Sequence, residues 1–93
     1  MESGEAMRTS CLQCVMKHLA QAIILLSEFR LGYPEYKWLA IGHLAEAEAE
    51  SVKDFLNLAI KIRDIRLKIE MDDYDVDLMS IIKEIESLEK NGN

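Results

Sequence analysis

The only proline of the chain, Pro34, stands two residues after Gly32 in LGYPEY, residues 31–36. A glycine suits the left-handed residue that closes a helix, and a proline suits the first turn of the next one. The motif therefore predicts one tight helix–helix turn. Before it, apolar residues cover almost every side of a helix between Leu19 and Leu26, the pattern of a helix enclosed by neighbours. Ser10 followed by Gln13 matches a capping box, so the first helix is expected over about residues 10–31, behind a loose arm over residues 1–9.

After the turn, Trp38, Ile41, Ala45, Ala49, Val52, Leu56, Ala59 and Ile62 follow helical spacing, and no breaker intervenes before MDDYDVD. The second helix is thus expected over about residues 35–70, roughly 50 Å long at 1.5 Å per residue. In its far half, Ile62, Ile65 and Ile69 are expected to pack while Arg63, Arg66 and Lys68 stay solvated. Asp75 or Asp77 can cap a third, shorter helix over about residues 76–90, with Leu78, Ile81, Ile82, Ile85 and Leu88 on one face. No strand pattern is present. The expected fold is all-α: a single domain over residues 1–93, built as a helical hairpin with a long second helix and a short third one.

Composition bears on assembly. Hydrophobic residues make up 49 % of the 93 positions and crowd into residues 11–65. A lone chain of this size buries only roughly 60–65 % of its unfolded surface. A surplus of this kind predicts a homodimer or larger helical-bundle oligomer. The longest apolar run, Ala22 to Leu26, is far short of the ~20 residues of a membrane span, and MESGEAMR has no apolar signal core, so a cytoplasmic protein is expected. A net charge of −6 argues against duplex nucleic acid as a partner.

Residues 11–18, CLQCVMKH, carry the densest chemistry. On a helix Cys11, Cys14 and His18 fall within about 60° of one another. Cys11 would begin the helix, where the dipole and free amides favour a thiolate. Three readings follow. Cys11, Cys14 and His18 can hold zinc, with His43, Glu46 or Glu50 as fourth ligand, although no second half-site of the usual spacing exists. They can be a redox dithiol. Or they are small residues at a helix seam.

Cys-x2-Cys-x3-His resembles the motif of the alkylhydroperoxidase and carboxymuconolactone-decarboxylase-like families. The resemblance covers eight residues. It implies an all-helical oligomer in which Cys14 is the more reactive sulfur, Cys11 its partner and His18 a proton relay. The family also carries an acid upstream on a helix of its own, and the ten residues before Cys11 leave no room for one.

His18-Leu19-Ala20-Gln21-Ala22 is echoed by His43-Leu44-Ala45-Glu46-Ala47 on the other side of the turn. With a turn centred near Tyr33, His18 would face Glu48. The imidazoles would then be offset by about 7–8 Å, too far to share an ion.

Lys17, His18, Arg30, Tyr33, Lys37, Trp38 and His43 form a second constellation: cations for a phosphate and rings for stacking. No phosphate-binding glycine loop accompanies them. The glutamates of AEAEAE read as a solvated face. No catalytic triad or carboxylate pair marks an enzyme. The leading expectation is an oligomer that binds a small anionic ligand, a nucleotide-type signal by analogy of size and composition with viral (phage) proteins that sequester such signals. The alternatives are a zinc or thiol-redox protein on Cys11, Cys14 and His18, and a plain helical interaction module.

Overall fold

The computed structural model describes residues 10–91, so the arm expected over residues 1–9 lies outside the described residues. Within them the chain forms four helices and no strand: α1 (Leu12–Arg30), α2 (Tyr36–Ser51), α3 (Leu56–Glu70) and α4 (Leu78–Asn91). Each of α1–α4 packs on its sequence neighbour or neighbours, and α4 returns to α1, which closes the ring. Cross-links give the directions. Arg66 meets Glu48, Lys61 meets Glu84, and Gln13 meets Glu89. Successive helices therefore run up, down, up and down.

The all-α expectation holds, but the long second helix does not. It is broken over residues 52–55 into α2 and α3. No glycine or proline marks the break. Hydrogen bonds at the junction replace the regular ladder. Ser51 Oγ–H donates back to the Ala47 carbonyl (2.8 Å), a bond that bends helices. The Asp54 N–H donates to Ser10 Oγ (3.1 Å) instead of continuing the ladder, and Ser10 N–H donates to Asp54 Oδ2 (2.7 Å). Phe55 then leaves helical dihedrals at φ −135°, ψ 60°. Ser10 is thus not the cap of α1. Cys11 takes that position in an extended conformation, and the helix starts one residue later than expected.

Both remaining reversals are left-handed caps. Gly32 has φ 115°, with its N–H on the Phe29 carbonyl and that of Tyr33 on the Glu28 carbonyl. Asp72 has φ 65°, with its N–H on the Ile69 carbonyl and that of Asp73 on the Lys68 carbonyl. Each pair satisfies two carbonyls that a helix end leaves open. Asp77 caps α4 as expected, its Oδ1 accepting the Ser80 N–H at 3.1 Å.

The core joins Val15, Leu19, Ala22 and Leu26 of α1 to Ala40, Leu44 and Ala47 of α2, Leu58 and Ile62 of α3, and Ile81 and Ile85 of α4. The face of α2 differs from the expected stripe. Ala45, Ala49, Val52 and Trp38 are exposed, and Ala40, Leu44 and Ala47 are inside. Alanines lie on every side of this helix, so Leu44 settles the face. In α3, Ile62 and Ile69 are buried as expected, but Arg66 is half-buried between Glu48 (3.1 Å) and Glu70 (2.8 Å). Glu48 accordingly leaves the solvated face to which its alternating neighbours assigned it.

Leu44 is fully buried in the core that all four helices build. Leu44→Ala is expected to cost about 2–5 kcal/mol, read as a lower urea midpoint with unchanged slope.

Candidate functional site

Cys11 and Cys14 are joined by a disulfide, with their Cα atoms 5.2 Å apart. The bridge closes because Cys11 sits just outside the helix: its extended backbone lets the side chain fold over the helix end onto the first turn. Cys11 Sγ also accepts the Cys14 N–H at 3.1 Å. Both cysteines are half-buried. Among the described residues no three or more His, Cys, Asp or Glu side chains are grouped so as to hold a metal ion, and the two cysteine sulfurs are bonded to each other.

One helical turn beyond Cys14, His18 meets His43 across the α1–α2 seam. The two Nδ1 atoms are 3.0 Å apart, one ring donating and the other accepting, and the ring centroids are 5.2 Å apart. Glu46 Oε1 stands 3.9 Å from His18 Nε2. The expected offset between the imidazoles is therefore absent. The chain reverses at Leu31–Gly32, not at Tyr33, because the Tyr33 N–H already turns back to Glu28. A second turn over residues 34–35 leads into α2, and His43 lies level with His18.

The remaining ligand candidates do not join this pair. Lys17 lies exposed on the neighbouring face of α1. Arg30, Tyr33, Lys37 and Trp38 gather near the turn, about six residues or ~9 Å of helix from His43. There the Lys37 ammonium binds Asp72 Oδ1 at 2.5 Å and lies 5.2 Å from the Trp38 ring and 5.6 Å from the Tyr74 ring. Tyr74 O–H donates to the same Asp72 oxygen (2.7 Å), and Arg30 donates to the Tyr74 carbonyl (2.8 Å). Tyr33 stacks on Tyr36. The cations meant for a phosphate are thus engaged by the α3–α4 loop. Asp72 and Tyr74 gave no sign of this role in the sequence, since only the return of α3 brings them to α2.

The hydrogen bond to Asp72 holds the Lys37 ammonium above its ordinary 10.5, helped by the Tyr74 hydroxyl. The bonds from Lys37 and Tyr74 hold the Asp72 carboxyl below its ordinary 3.8. No family model, curated protein or solved structure matches this chain.

The depressed Asp72 group contributes stability that is complete above pH 3.8 and fades as pH falls through its folded value. The raised Lys37 group contributes below pH 10.5 and fades as pH rises through its folded value. Asp72→Asn retains a residue that tolerates the left-handed conformation. The stability difference between wild type and variant should be flat between those limits and shrink outside them. Urea midpoints across pH would read this, and a difference that persists unchanged at pH 2 would refute it.

Proposed function

We propose that the chain is a thiol–disulfide redox protein in which Cys11 and Cys14 alternate between disulfide and dithiol. The observation that carries this reading is the half-buried disulfide one turn from the His18–His43–Glu46 array. In the resembling families an upstream acid completes the relay. Here α2 offers His43 and Glu46 in its place.

The exchange balances with a partner dithiol as reductant. A partner thiolate attacks Cys14 Sγ, the Cys11–Cys14 bond breaks, and Cys11 leaves as thiolate. Cys11 is the better leaving sulfur because it accepts the Cys14 N–H at the head of α1, where the helix dipole favours negative charge. The partner's second thiolate then attacks its own mixed-disulfide sulfur and releases Cys14. Two electrons and two protons have passed to the cysteines, and the partner has become a disulfide. His18, nearest in register to Cys14, is the group available to deliver a proton there.

An anionic ligand has less support, because Asp72 already pairs with Lys37 and the Tyr74 carbonyl engages Arg30. Self-association is a second reading. Leu31, Tyr33, Trp38 and Leu39 stay at least half exposed on and just after the α1–α2 turn, an apolar patch that another copy would cover. Light scattering across concentration tests it.

For the redox reading, Cys11→Ser should accumulate a stable mixed disulfide with a small disulfide probe, attached through Cys14. Cys14→Ser should form its adduct through Cys11. His18→Gln should slow exchange by about tenfold or more while far-ultraviolet circular dichroism stays unchanged. Equal rates in wild type and His18→Gln would remove the relay. A wild-type bridge that no dithiol reduces in the folded chain would remove the function.

A further inference from the structure

Reduction changes what the site can bind. In the oxidised chain each sulfur is used by the other. Opening the bridge adds two thiolate donors, Cys14 one turn before His18 and Cys11 at the helix cap, beside two imidazoles whose Nδ1 atoms already face each other at 3.0 Å. We propose that reduced Cys11 and Cys14, with His18 and His43, form a four-donor site for a divalent transition metal of zinc's chemistry. The proposal rests on the reading that these cysteines cycle.

Geometry favours it on three counts. Zinc–nitrogen bonds of about 2.0–2.1 Å place two tetrahedral nitrogens about 3.3 Å apart, so the imidazoles need part by only a few tenths of an ångström. Zinc–sulfur bonds of about 2.3 Å place the sulfurs about 3.8 Å apart, within reach of Cα atoms 5.2 Å apart. Cys14 and His18 are i and i+4 on α1, with Cβ atoms about 5–6 Å apart, so sulfur and nitrogen converge on one face. The donor set also suits the ion. Two thiolates neutralise a divalent charge, and thiolate with imidazole selects zinc over magnesium or calcium.

The ring orientation is a separate observation. A metal-bound histidine usually donates its other ring N–H to a carboxylate or carbonyl. His18 has Nδ1 toward His43, and its Nε2 faces the exposed Glu46 carboxylate at 3.9 Å, beyond hydrogen-bond distance but within reach of a side-chain rotation that would complete that arrangement. The hydrogen bond between the rings explains the first contact but does not call for the second.

Loading the site displaces two thiol protons. Oxidation by a partner disulfide takes two electrons from the bound thiolates, closes the Cys11–Cys14 bond, reduces the partner and frees the ion. The metal therefore binds only the reduced chain. At a hundredfold excess over its Kd it should raise the two-electron potential by about 59 mV.

The test is titration of full-length, reduced, metal-free protein with cobalt(II) under anaerobic conditions. The expected result is one equivalent bound, with intense tetrahedral ligand-field bands and a thiolate-to-cobalt charge-transfer band, and displacement by zinc. Oxidised protein should show none of these. His43→Gln and His18→Gln should lose the tetrahedral spectrum, and Glu46→Gln, on an exposed side chain, should weaken affinity about tenfold. Circular dichroism of the metal-free variants identifies any that fail to fold, and Glu46→Gln then remains as the probe. Absence of cobalt binding, binding by the oxidised chain, or a spectrum unchanged in both histidine variants overturns the proposal. Failure of the redox reading looks different: metal binds, but no disulfide probe releases it.

Discussion

The reversal at Leu31–Gly32 sets the register of α1 against α2, and the rest of the molecule follows from that register. Gly32 adopts φ 115° and Tyr33 returns its N–H to Glu28, so the chain has reversed before α2 starts at Tyr36. Leu19, Ala22, Leu44 and Ala47 then share one core, and His18 meets His43 at the seam. A β-branched residue at position 32 would be strained whatever space surrounds it. A slip of one helical turn would separate the imidazoles by about 5.4 Å.

The short echo on either side of the turn acquires a physical meaning from this register. In both copies the leucine and the final alanine are fully buried, and the histidine is half-buried. The spacing of one and four residues after the histidine places two side chains inside and one at the edge. The repeat is therefore a packing unit used twice. The alanines let the two helices approach closely, and that closeness lets two imidazoles touch.

Much of this was legible. The turn, the C-terminal ends of α1 and α3, an aspartate cap on α4 and the apolar face of α4 all follow from Gly32, Pro34, the apolar periods and the aspartates. The break after Ser51 was not, because its cause is remote: Ser10, forty-four residues away, satisfies the backbone of Asp54. The buried face of α2 was misassigned because its alanines make the period ambiguous. The engagement of Lys37 by Asp72 depends on α3 folding back along α2, which the unbroken helix excluded. Of the seven ligand candidates, His18 and His43 come together. The others are separated by helix length or engaged by a loop that local pattern does not place.

Folding back also bears on the surplus of apolar residues. A straight helix through residue 70 would have carried its far half beyond the reach of α1. Broken at residues 52–55, the same residues close a core within one chain, with Ile62, Ile69 and Ile85 fully covered. The junction that permits this is tied to residue 10, and residue 10 is peptide-bonded to the sulfur-bearing residue at the head of α1. The disulfide and the hinge of the bundle thus sit on adjacent links of one backbone. A change at the sulfurs is one peptide bond away from the residue that braces the bend between α2 and α3.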